Sequence, residues 1–223
     1  MVNSKLKYLI AGTGGVGGSI AAFLALSGKD VTCIARGEHL TAMRENGLQL
    51  HSDLKGEHTL KVKAYTTEEY TTLASASADY RADVIFVCVK GYSVDSITEL
   101  IKRASHERTV VIPILNVYGT GPRIQRLVPG VTVLDGCIYI VGFVSGRGEI
   151  TQMGKIFRLV YGAHRHQSRN LRRHQPGHIR QMVVHLGNGC HRSLLRRTYG
   201  RSSETGQSAR YLHRTITRER SFG

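Results

Sequence analysis

The segment Gly12-Thr13-Gly14-Gly15-Val16-Gly17 constrains this chain more than any other stretch. It follows a short apolar run, Leu6 to Ala11, that reads as a buried parallel strand. It precedes SIAAFLALSG, whose apolar residues recur at helical spacing and which ends at Gly28, a helix C-cap. Glycines spaced G-x-G-x-x-G between a strand and a helix have a physical use at each position. The first allows a tight turn, the second lets the backbone approach a pyrophosphate, and the third lets the helix pack closely on the strand. The helix N-terminus then offers unpaired N–H groups and a partial positive charge to the phosphates. Gly12, Thr13, Gly14, Gly15, Val16 and Gly17 are therefore the candidate cofactor-binding loop.

The pattern beyond the loop continues the same theme. Asp30 to Ala35 reads as a second strand, and Glu38 to Asn46 as a short helix stopped by Gly47. Leu48–His51 and Thr59–Tyr65 read as short, more exposed strands, and Glu68 to Ala78 as a helix. Ala82 to Lys90 is a buried strand, Ser93 to Ala104 a helix, and Thr109 to Asn116 another buried strand. Two further strands, VTVLDGCIYIVGFV and GEITQMGKIFRLVYG, close the domain around a glycine-rich turn. Buried strands alternating with helices predict an α/β fold: a doubly wound, mainly parallel Rossmann sheet over residues 1–163.

Three polar residues fall where such a sheet binds its ligands, at the carboxyl ends of strands. Arg36 follows the second strand directly, where an NAD site would place an acid for the ribose 2′-hydroxyl. An arginine suits the 2′-phosphate of NADP, through planar, charge-assisted hydrogen bonds. Glu38, two residues on, is the one nearby acid. Lys90 and Asn116 end the two strong central strands. Lys90 could hold a substrate carboxylate or a cofactor oxygen, and Asn116 could donate to a substrate carbonyl or bind the nicotinamide side. Each could equally be an ordinary strand-to-loop residue.

In this order GTGGVGG, VTCIARGEHL, DVIFVCVKGY and ILNVYGTG resemble the ketopantoate reductase (2-dehydropantoate 2-reductase) family. GRGEITQMGKIFRLVYG is similar to that family's closing hairpin, so the resemblance spans residues 5–163. It implies NADPH-dependent reduction of 2-dehydropantoate to pantoate, in pantothenate biosynthesis. It also implies that Gly12 to Gly17 and Arg36 bind NADP, while Lys90 and Asn116 act catalytically beside cofactor and substrate. A small 2-keto acid is the expected partner. The resemblance further implies a second, helical domain that supplies a lysine proton donor.

Residues 164–223 match none of that domain. The chain's formal charge is +15, yet this segment alone holds thirteen arginines, two acids, seven of the eleven histidines and no lysine. It reads as a basic tail of doubtful order, produced by an out-of-frame or similar change, which would leave a truncated reductase. Two other readings stay open: a non-catalytic NADP-binding fragment, and an arginine-rich nucleic-acid binder. The tail has the charge for phosphate contacts but no interleaved aromatics or RNA-binding motif. His164–His166 and His174–His178 do not make metal sites, since Pro176 and Gly177 prevent a helical pair. Cys33, Cys88 and Cys137 fall in apolar strands and read as reduced core residues. The N-terminus is not a signal peptide and no run spans a bilayer, so the expected setting is the cytoplasm. A homodimer is left open.

Overall fold

The computed structural model describes residues 6–117, 119–163 and 182–185. Strand β1 (Lys7–Ala11) leads through the glycine loop into helix α1 (Gly15–Leu26), and β2 (Asp30–Ile34) returns parallel to β1. Next come α2 (Gly37–Asn46), the antiparallel pair β3 (Leu48–Ser52) and β4 (Gly56–Leu60), the short β5 (Lys63–Tyr65) and α3 (Thr67–Ala76). The second half holds β6 (Val84–Val87), α4 (Thr98–Ala104), β7 (Val110–Pro113) and α5 (Thr120–Leu127), then the long hairpin β8 (Thr132–Gly146) and β9 (Glu149–Ala163). Strand β10 (Met182–His185) pairs antiparallel with β9.

The strand order is β4-β3-β9-β8-β7-β6-β1-β2-β5. From β5 to the start of β8 every pairing is parallel, as the periodicity predicted. The chain winds from β1 through β2 to β5, then crosses to the other side of β1 and continues through β6 to β7. The winding direction reverses between β1 and β6, so the loops leaving those two strands diverge and open a crevice.

Strand alternation supplies a core on each face of the sheet. Leu9, Ala11, Ile85, Val87 and Val111 pack against Ala74, Leu100, Ile101, Ala104 and Ile124 of α3, α4 and α5. On the other face α1 contributes the fully buried Ile20 and the buried Phe23, whose ring meets Phe157 of β9 edge-on with centroids 4.4 Å apart. Each such side chain contributes about 1.5–3 kcal/mol of transfer free energy. Helix α3 starts at a capping box: Thr66 Oγ1 accepts from the Glu69 N–H, and the Glu69 carboxylate accepts from the Thr66 N–H.

Several elements differ from the sequence reading. The segment Ser93–Ala104 is not one helix; two 3₁₀ turns, Gly91–Ser93 and Asp95–Ile97, precede α4. Gly, Ser and Asp favour local turns there, and Ser96 Oγ donates to the Ser93 carbonyl at 2.8 Å. The segment Thr59–Tyr65 splits, with Leu60 ending β4 on β3 while Lys63–Tyr65 pairs with β2 at the far edge. Helix α5 was not anticipated, although Pro122 in its first turn and the spacing of Ile124 are helix-start signals. Cys137 is not a core residue. It is exposed, because β8 pairs with β7 only at Thr132 and Val133 and then runs on past the parallel sheet with one face uncovered.

No helix among the described residues is long and apolar enough to cross a membrane. Most of residues 164–223, including the His164–His166 and His174–His178 groups, lies outside the described residues.

Candidate functional site

Gly12 and Gly17 meet the steric demands that their spacing predicts. Gly12 has φ +102°, a conformation that L side chains rarely adopt, and a Cβ on Gly17 would stand 2.0 Å from the Gly12 carbonyl oxygen. Helix α1 therefore starts hard against the end of β1. Gly14 is exposed and a Cβ there would meet nothing within 4 Å, so the loop's outer side is open. By helix geometry the N–H groups of Gly15, Val16 and Gly17 have no acceptor within α1, and no acidic residue lies in its first turn. An anion is the partner this end of the helix lacks. Thr13 plays a different part. Its N–H and its hydroxyl both donate to the Ile34 carbonyl, at 2.9 and 3.0 Å, so its side chain ties the loop to β2 and faces inward.

Arg36 stands as N-cap of α2, just past the end of β2. It is exposed, and no hydrogen bond or ion pair engages its side chain among the described residues. Since β2 lies beside β1, the glycine loop and Arg36 occupy the same edge of the sheet.

Lys90 and Asn116 come from the adjacent strands β6 and β7. The strands end at Val87 and Pro113, which are register partners, so each polar residue sits three positions beyond its strand and not at its end. The two loops touch: a Cβ on Gly91 would lie 3.1 Å from Val117 Cγ2. The β6 loop also meets the glycine loop, because a Cβ on Gly12 would lie 2.9 Å from Val89 Cγ1. Lys90 and Asn116 are exposed, with no side-chain partner among the described residues. Thr120 Oγ1 donates to the Val117 carbonyl at 2.9 Å and steadies the loop after Asn116. The glycine loop, Lys90 and Asn116 thus ring the carboxyl edge around the β1–β6 crevice.

Two thiols lie beneath this edge. Cys33 is buried and Cys88 packs under Gly17; burial pushes both thiols up to about 12, the Cys33 shift being partly offset by a hydrogen bond with Thr13. Burial thus favours the protonated thiol at both positions.

The sequence reading missed the role of the β8–β9 hairpin. Beyond β7 it bends across the start of α1, where a Cβ on Gly15 would lie 2.3 Å from the Gly142 carbonyl oxygen. Its tip reaches α2, where His39 Nδ1 accepts the Gly148 N–H at 3.0 Å. The hairpin therefore walls the edge that joins the N-termini of α1 and α2. Gly15 and Gly142 were the available signal, two small residues whose close approach shows only once the strands are paired. Among the described residues no cluster of His, Cys, Asp and Glu is spaced to hold a metal.

Residues 8–166 match the family model described as ketopantoate reductase PanE/ApbA. An uncharacterized oxidoreductase of Bacillus subtilis is 31% identical over 157 residues, covering 70% of this chain and 48% of that protein. The 2-dehydropantoate 2-reductase of Pyrococcus horikoshii is 30% identical over 154 residues, covering 67% of this chain and 47% of its own length. Among solved structures, the 2-dehydropantoate 2-reductase of Porphyromonas gingivalis superposes with a TM-score of 0.60 at 27% identity, over 71% of this chain and 54% of that one. The chain thus spans about half the length of the relatives it matches. A family model covering more than half of the chain, on an α/β sheet of the same kind, establishes the assignment: this chain belongs to the ketopantoate reductase family of oxidoreductases.

Proposed function

We propose that this chain binds NADP(H) and that its reaction is the reduction of a small 2-keto acid, 2-dehydropantoate, to the corresponding hydroxy acid, a step of pantothenate biosynthesis in the cytoplasm. The observation that carries the reading is the carboxyl edge of the sheet. An open glycine loop and an unengaged Arg36 lie on one side of the β1–β6 crevice, and Lys90 and Asn116 lie on the other. The residues fit the cofactor. Gly14 leaves room for a pyrophosphate against the first turn of α1, and Arg36 offers a fork of donors to a 2′-phosphate.

Bound NADPH would supply the hydride that reduces the keto carbon. The chain's own residues bind and orient. The N–H groups of Gly15 to Gly17 would hold phosphate oxygens, whose charge the α1 dipole favours. Lys90, a mobile ammonium on a four-carbon stem, attracts the substrate carboxylate. Asn116 donates to the keto oxygen and holds the carbonyl plane, which favours the developing oxyanion. Protonation of that oxygen needs a general acid, and the matched segment covers about half the length of the relatives. That observation favours a second reading, in which the chain binds NADPH but turns over slowly or not at all.

The test is a pair of measurements on the full chain: NADPH fluorescence titration, and NADPH oxidation with 2-dehydropantoate. Turnover that Asn116→Ala abolishes supports the reductase reading. Saturable NADPH binding without turnover supports the second reading. Absence of any NADPH binding sinks both.

A further inference from the structure

Glu38 is the acid that lies closest in sequence to Arg36 and would ordinarily count against a phosphorylated cofactor. It sits in the first turn of α2, two residues past Arg36. A free carboxylate there would repel a 2′-phosphate and accept a hydrogen bond from a ribose 2′-hydroxyl. In the structure it is not free. Arg147, at the tip of the β8–β9 hairpin, places Nε 3.0 Å from Glu38 Oε2. The hairpin tip is held on α2 by the Gly148 N–H to His39 Nδ1 bond, and a Cβ on Gly148 would lie 3.1 Å from Ala42 Cβ. Glu38, His39, Val144, Ser145, Gly146 and Arg147 line an open cleft of about 410 Å³ between helix and hairpin.

Resting on the NADP reading above, we infer that the Glu38–Arg147 pair determines the choice between NADPH and NADH. Arg147 neutralises the one carboxylate beside the 2′-position and brings a second guanidinium to the 2′-phosphate. With Arg147 in place the local charge of Arg36, Arg147 and Glu38 is +1. Without it the local charge is zero and Glu38 is released toward the ribose. The side chains of Arg147 and Glu38 are 71% and 70% exposed, so the pair contributes little to folding. A ligand carrying two negative charges senses the change in local charge, while a ribose hydroxyl senses the freed carboxylate. The hairpin tip thereby acts as a specificity element that sequence motifs at β2 alone do not reveal.

The experiment measures Kd for NADPH and NADH by fluorescence titration with the full chain and its Arg147→Gln, Glu38→Gln, Arg147→Gln/Glu38→Gln and Arg36→Gln variants. The expected result is that Arg147→Gln weakens NADPH about tenfold and leaves NADH unchanged or tighter. Glu38→Gln added to Arg147→Gln recovers most of that loss, and the Arg147→Gln effect shrinks as salt is raised. Equal changes for both cofactors, or none, overturn the inference. Arg36→Gln separates the two levels. If it weakens NADPH selectively while Arg147→Gln does nothing, only the role of the hairpin pair fails. If Arg36→Gln leaves NADPH binding unchanged, the NADP reading fails and this inference falls with it.

Discussion

Neighbouring glycines in the cofactor loop do different jobs, and substitution separates them. A Cβ on Gly15 would lie 2.3 Å from the Gly142 carbonyl oxygen and 2.4 Å from Phe143 Cα, both backbone atoms that cannot rotate away. Gly15→Ala should therefore destabilise the chain by about 1–3 kcal/mol, read as a lower urea midpoint. A Cβ on Gly14 meets nothing within 4 Å, and its φ of −88° is ordinary for alanine. Gly14→Ala should leave stability within about 0.5 kcal/mol of the parent and weaken NADPH about tenfold, because the methyl group stands where the pyrophosphate approaches. Equal NADPH affinity in Gly14→Ala and the parent would remove the pyrophosphate from this loop. The buried thiols give a second residue-scale expectation. Burial raises Cys33 and Cys88 from 9.0 to about 12. Below about pH 9 both folded and unfolded chains keep these protons, and the contribution to stability is whole. Between about 9 and 12 only the unfolded chain releases them, so stability falls as pH rises, by up to ~1.4 kcal/mol per pH unit and thiol. Cys88→Ala should flatten that slope in urea titrations across the alkaline range, and an unchanged slope would mean that the thiol is open to water.

At the scale of elements, a buried amide reinforces the backbone pairing between β3 and β9. Gln152 is fully buried; its Oε1 accepts from Ser52 Oγ at 2.6 Å, and its Nε2 donates to the Met153 and Gly154 carbonyls at 2.9 and 2.8 Å. Gln152→Leu removes all three bonds and leaves two carbonyls and a hydroxyl to be satisfied otherwise. The expected loss is about 2–4 kcal/mol of stability by urea denaturation, with NADPH binding retained below the transition. A loss under about 0.5 kcal/mol would mean that the strand pairing holds without the amide. The same elements show what the sequence made legible. β1, β2, β6 and β7 were readable because strands buried on both faces are short apolar runs. The glycine loop was readable because three glycines at fixed offsets answer three local steric demands. The β3–β9 pairing was not, because it joins segments about a hundred residues apart whose contacts leave no local period. Helix α5 was missed because its eight residues carry few apolar positions, and the break before α4 because Ser and Asp choose local hydrogen bonds over helix.

At the scale of the molecule, the parallel sheet and its crevice followed from the alternation of periods, but the fate of the β8–β9 surface did not. The run VTVLDGCIYIVGFV reads as one of the strands that close the domain. In the structure its outward residues Tyr139, Val141 and Phe143 are 54%, 58% and 44% exposed, and Met153, opposite Val141, is 49% exposed. Ile156 adds another exposed apolar side chain on β9. Contiguous apolar surface of this kind drives association or captures apolar ligands. The formal charge of +15 opposes association of copies, and that repulsion is screened as salt rises. The full chain should therefore sediment as smaller species at low salt and associate progressively toward about 0.5 M salt, where the Debye length is about 4 Å, while binding an apolar fluorescent dye throughout. Val141→Lys with Ile156→Lys should reduce both dye binding and salt-induced association. NADPH affinity should stay within about twofold, since both side chains are exposed on the hairpin. If dye binding and association persist in the double variant, the adhesive surface lies elsewhere, and the hairpin face is exposed without being the seat of self-association.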